Sequence, residues 1–128
     1  MTKILLVDDQ PELRRMYGAV LRTAGHEVLE AENGEDGVAL ALSESPELVL
    51  MDVNMPVMDG ITAVSTIKND PAIQHIPVVM LTSLAMPEEI SRGLEAGGDA
   101  YIVKPMIPKE LLEELQLILT ELDEGGLE

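Results

Sequence analysis

The sequence predicts a doubly wound α/β sandwich, a five-stranded parallel sheet carrying helices on both faces. Three observations point there. Five short strand-like runs alternate with five helix-patterned stretches over 128 residues, as repeated βαβ units do. The first run, Ile4-Leu5-Leu6-Val7, is apolar throughout, which suits a strand buried on both faces. Residues that start and stop helices fall between the runs.

Taken in order, strand 3–7 leads to a helix over 11–24, opened by Pro11 after Asp9-Gln10 and stopped by Gly25. Strand 27–31 follows, then a helix over 34–43 behind Asn33. Strand 47–51 precedes a helix over 60–68 that starts after Asp59. Strand 77–81 leads to a helix over 87–95, whose first turn holds Pro87, Glu88 and Glu89. Gly97 and Gly98 end it, and strand 100–103 and a helix over 109–122 complete the series. One domain over 1–122 is expected, with 123–128 as a frayed tail or the start of a linker.

Composition excludes several function classes. The net charge of −16, from 24 acidic and 8 basic residues, repels phosphate backbones, so direct nucleic-acid binding by this chain is not expected. Tyr17 and Tyr101 are its only aromatic residues, too few for a base-stacking platform and unhelpful for flavin binding. No apolar run is long enough to span a bilayer, and Met1-Thr2-Lys3 lacks the profile of a signal peptide. The absence of cysteine fits a reducing compartment and a cytoplasmic location.

The strand ends carry the chemistry. Asp8 and Asp9 follow Val7, Asp52 follows Met51, Thr82 follows Leu81, and Lys104 follows Val103. Parallel strands deliver these endings to one edge of the sheet, where open α/β sheets bind ligands. Two carboxylates ~4 Å apart repel by about 4 kcal/mol at an effective dielectric near 20. Such a cluster either holds protons or surrounds a cation, and hard oxygen ligands suit Mg²⁺ beside a phosphate. Lys104 adds positive charge and Thr82 a hydroxyl that can donate to an anionic oxygen. Together they make a place where a carboxylate can attack a phosphoryl group. Singly, each has a plainer reading. Asp9 stands three residues before Glu12 as in a capping box, Asp52 suits a turn, Thr82 suits a strand and Lys104 suits a solvated surface. The joint placement favours the pocket.

The motifs Val7-Asp8-Asp9, Met51-Asp52-Val53-Asn54-Met55-Pro56-Val57-Met58-Asp59-Gly60, Met80-Leu81-Thr82-Ser83 and Val103-Lys104-Pro105 resemble the receiver domain of two-component response regulators, and the likeness covers roughly residues 3–122. It implies a flavodoxin-like sheet of order 2-1-3-4-5. It implies that Asp52 accepts a phosphoryl group from a partner histidine kinase or phosphotransfer protein. Mg²⁺ would be held by Asp9, Asp52 and the main-chain carbonyl of Asn54, with Asp8 acting through water. Lys104 would contact the phosphoryl group, Thr82 would swing toward it, and Tyr101 would turn inward behind Thr82. The resemblance also implies a cis bond before Pro105, although X–Pro bonds are cis only about 5–6% of the time. Neither His26 nor His75 suits the donor role, so the donor is expected on another protein.

Receivers commonly signal through helix 4, strand 5 and helix 5, to a downstream protein partner, an output domain or a second copy in a homodimer. Such a domain catalyses only its own phosphorylation and dephosphorylation. Helix 5 carries Leu111, Leu112, Leu115, Leu117, Ile118, Leu119 and Leu122, more apolar positions than one core-facing stripe needs. Departures from the family pattern are Met106, Ile107 and Gly97-Gly98, of which the last is expected to loosen the loop before strand 5. Leu84 cannot orient a hydrolytic water, which points to slow self-dephosphorylation. Two other classes are weaker. A docking module with no phosphorylation would not need the acids, threonine and lysine, and a dehalogenase-type phosphatase would want an acid where Asn54 stands.

Overall fold

The computed structural model describes residues 2–53, 55, 59–82, 87–103 and 108–123. The strands are β1 (Lys3–Val7), β2 (Glu27–Ala31), β3 (Leu48–Asp52), β4 (Val78–Thr82) and β5 (Ala100–Val103). The helices are α1 (Pro11–Thr23), α2 (Gly34–Glu44), α3 (Gly60–Lys68), α4 (Pro87–Glu95) and α5 (Pro108–Asp123). All strand pairs are parallel, in the order β2-β1-β3-β4-β5. The expected α/β class and strand order are therefore both present.

Alternation along the strands divides the core into two layers, because successive side chains leave a strand on opposite faces. Leu5 and Val7 join Val49, Met51, Val78 and Met80 in a layer covered by Ala41 of α2 and Ala63, Val64 and Ile67 of α3. Ile4 and Leu6 join Leu48, Leu50, Val79 and Leu81 in a layer covered by Tyr17 and Leu21 of α1 and Leu111 and Leu115 of α5. In α1 the positions Leu13, Met16, Tyr17, Val20 and Leu21 repeat at helical spacing and form one stripe. Helix α5 does the same with Leu111, Leu112, Leu115, Ile118 and Leu119. Its excess of leucine is thus mostly a wide core face, and Leu117 stands outside it at 61% exposure.

Local signals act where the sequence places them at α2 and α3. The Asn33 side chain accepts from the Asp36 amide at 2.8 Å, and the Asp59 side chain accepts from the Thr62 amide at 2.8 Å. Helix α1 differs, because its N-cap is Gln10, with no side-chain cap, and Pro11 opens it. The capping-box reading of Asp9 does not hold. Gly25 and Gly97 turn the chain after α1 and α4 with φ of 97° and 113°. The Gly97-Gly98 loop is not loose. A Cβ at Gly97 would stand 2.6 Å from Lys68 Cγ, and one at Gly98 3.1 Å from the Gly93 carbonyl, backbone that cannot rotate away, so close packing favours glycine there. Asp99 next in line accepts from the Val78 amide at 2.8 Å and pairs with Lys68 at 3.0 Å.

Candidate functional site

The sheet order reverses direction at β1, whose neighbours are β2 and β3. Helices leave the sheet on opposite faces there and open a crevice beyond the strand ends. Register brings Val7 beside Met51, so the next residues, Asp8 and Asp52, stand at the mouth of that crevice. One carboxylate oxygen from each of Asp8, Asp9 and Asp52 lies within 4.8 Å of the other two. Asp8 and Asp52 are buried, at 0% and 1% exposure, and Asp9 is half-buried. Strand β3 runs one residue further than its apolar run, because Asp52 continues the ladder opposite Leu81. The acid therefore sits on a strand and inherits its rigidity.

Two contacts fix the Asp8 end. Its carboxylate accepts from the Gln10 amide at 2.9 Å, and the Arg14 guanidinium donates to its carbonyl at 2.7 Å. Arg14 is steadied in turn by Glu30 at 3.3 Å, which also pairs with Arg22 at 2.9 Å. On the β3 side, the Val53 amide donates to the Leu81 carbonyl at 3.0 Å and the Gly60 amide to the Val53 carbonyl at 3.2 Å. A Cβ on Gly60 would run into the Asp52 carbonyl and Val53 Cα. Glycine thus lets the start of α3 press against the backbone carrying the central acid.

Thr82 continues β4 past its apolar run, opposite Val103 of β5, and is buried at 2% exposure. It lies one position beyond the register partner of Asp52, so β4 delivers its hydroxyl to the same edge. Tyr101 sits on β5 at 44% exposure. Between them is a pocket of about 10 Å³, lined by Val53, Met80, Thr82, Glu89, Ile90 and Tyr101. Glu89 was not singled out as a site residue by its sequence, where it reads as an acid in the first turn of a helix.

Asn54, Lys104 and Pro105 lie outside the described residues, as do Leu84, Met106, Ile107 and residues 124–128. His75 is exposed, while His26 is half-buried and accepts from the Thr2 amide at Nδ1, at 3.2 Å. His26 directly precedes β2 and His75 lies shortly before β4. Both therefore belong to the sheet edge opposite the acids.

Three carboxylates with no histidine or cysteine form a hard donor set, which fits a hard divalent cation such as Mg²⁺ better than zinc. No helix among the described residues is long and apolar enough to cross a membrane.

Comparison with known proteins bears on the same residues. A family model described as response regulator receiver domain matches residues 4–116. The gliding motility regulatory protein of Myxococcus xanthus is 43% identical over 88% of this chain, which spans 14% of that protein. The phosphate regulon transcriptional regulatory protein PhoB of Pseudomonas aeruginosa is 38% identical over 98% of this chain, which spans 55% of it. Among solved structures, chemotaxis protein CheY4 of Vibrio cholerae superposes with a TM-score of 0.87 at 36% identity, covering 92% of this chain and 98% of that one. The receiver domain of sensor histidine kinase PA1611 from P. aeruginosa, with a magnesium ion coordinated in its active-site cleft, gives a TM-score of 0.84 at 31% identity. That match covers 93% of this chain and 98% of the other. With its sheet order, its acid cluster at the switch point and a family match over most of its length, this chain belongs to the response regulator receiver domains of two-component signalling.

Proposed function

We propose that this receiver accepts a phosphoryl group on Asp52 from a phosphohistidine of a partner histidine kinase or phosphotransfer protein, in a Mg²⁺-dependent reaction. The observation that carries this reading is the convergence of three carboxylates within 4.8 Å at the switch point of the sheet. Asp9 and Asp52 would hold the ion directly, with the main-chain carbonyl of Asn54, and Asp8 would act through water. Bound Mg²⁺ would neutralise negative charge on the transferring phosphoryl oxygens. A carboxylate oxygen of Asp52 forms the new bond to phosphorus while the P–N bond of the donor breaks, its electron pair staying on the imidazole nitrogen. Asp8, held by Gln10, keeps the crevice acidic. Lys104 is proposed to pair with the phosphoryl group.

The modified Asp52 carries more charge and three acceptor oxygens. Thr82 is proposed to turn its hydroxyl toward one of them, and Tyr101 to follow into the vacated space. The α4–β5–α5 face would then read out the state to a downstream protein or output domain. The domain modifies itself and turns over no external substrate in this reading.

Intact mass after incubation with acetyl phosphate and Mg²⁺ tests it. One added phosphoryl group is expected, and none with Asp52→Ala or with EDTA. No adduct on the wild-type chain, or an adduct surviving Asp52→Ala, would overturn the proposal and leave a docking module with a receiver fold.

A further inference from the structure

One buried polar atom remains unexplained by this chemistry. Glu89 Oε1 is sealed from solvent and has no hydrogen-bond partner among the described residues. Proteins seldom leave a buried acceptor unused. Glu89 lines the small pocket between Thr82 and Tyr101, the two hydroxyl-bearing residues of its wall. At about 10 Å³ the pocket has room for no more than one water, and a phenol ring cannot enter unless its walls yield. Two of those walls, Glu89 and Ile90, belong to α4. Any inward turn of Tyr101 therefore moves one or more of the lining side chains, which are Thr82, Val53 and Met80 from the sheet side and Glu89 and Ile90 from α4.

We infer that Glu89 is the internal acceptor for the Tyr101 hydroxyl. When Thr82 swings away and the ring turns in, the phenol O–H donates to Glu89 Oε1 and ties β5 to α4. Glu89 is thus a positioning residue that acts through Tyr101 and touches no phosphoryl atom. The inference rests on the phosphorylation reading above, because that event frees the space.

A plainer role for an acid in the first turn of α4 is to complement the positive end of the helix. The two roles separate by substitution. Glu89→Gln keeps an acceptor oxygen but loses the charge, whereas Glu89→Leu loses both. The ring signals of the two tyrosines, followed by ¹³C-edited NMR with acetyl phosphate and Mg²⁺ present throughout, report the inward population of Tyr101. Buried Tyr17, in the opposite layer of the core, serves as the internal reference. Intact mass of the same samples gives Asp52 occupancy.

At equal occupancy, Glu89→Leu is expected to lower the inward population of Tyr101 about tenfold, the effect of losing the acceptor of one hydrogen bond, while Glu89→Gln, which keeps an acceptor without the charge, loses clearly less. A Tyr101 response in Glu89→Leu equal to wild type would overturn the inference, as would equal losses in Leu and Gln variants. Absence of the phosphoryl mass on wild type would bring down the phosphorylation reading, and this inference with it; a normal mass with an indifferent Tyr101 would bring down this inference alone.

Discussion

The two sides of the sheet differ in how deeply they bury their candidate site residues. Along β1 and β3, Ile4 to Val7 and Leu48 to Met51 are all at 0% exposure, and Asp8 and Asp52 at their ends share that burial. Along β5 only Ile102 is buried, and Tyr101 beside it is 44% exposed. The central strands are clamped by helices from both faces, so groups on them keep a fixed geometry. The β5 edge has a neighbour strand on one side and a helix, α4, with a small pocket beneath it. The proposed divalent-ion site would need the first environment, and the proposed switching surface the second.

Four variants would break or sharpen that contrast. Gly60→Ala drives a methyl group into the backbone of Asp52 and Val53, where nothing can rotate away. A loss of about 2–3 kcal/mol in urea unfolding is expected, and an unchanged midpoint would show that the acid-bearing segment is not held as tightly as drawn. Asp9→Asn removes one carboxylate charge from the cluster. Mg²⁺ binding by calorimetry should weaken at least about tenfold, or ~1.4 kcal/mol. In EDTA the same variant should unfold at higher urea, by about 1 kcal/mol, because a repulsive charge is gone. Opposite signs from one substitution would be hard to produce any other way.

On the other side of the sheet, Gly93→Ala meets only the far end of the Met80 side chain. That chain can adopt another rotamer, so a cost of about 1 kcal/mol or less is expected by the same unfolding measurement. A loss as large as that of Gly60→Ala would erase the contrast. Leu117→Gln, at a position 61% exposed, should change stability by no more than ~0.5 kcal/mol. A larger loss would place Leu117 in a packed interface.

Much of the fold was legible because its signals are local. Asn33 and Asp59 cap the helices they precede, and Pro11 opens α1. Each works through atoms a few residues away. Misreadings arose where a distant partner decided. Strands β3 and β4 keep Asp52 and Thr82 because ladder partners exist for them, which polarity alone argues against. Asp9 does not cap α1, and its carboxylate lies with Asp8 and Asp52 instead. Gly97 and Gly98 read as slack in the sequence, yet Lys68 and the Gly93 carbonyl leave little room beside them. Glu89 looked like an ordinary first-turn acid until the pocket behind it was in view.

The sequence by itself determined the alternation of strands and helices, most helix ends, and which acids and hydroxyl stand at strand ends, since propensity, capping and apolar runs act over a few residues. The strand ends and the family likeness led to one crevice for Asp8, Asp9 and Asp52, but only the tertiary structure set their spacing within 4.8 Å and placed Glu89 against Thr82 and Tyr101. Both depend on strand order and register. Strands buried on both faces are almost uniformly apolar, so their pattern does not encode which neighbour each will choose.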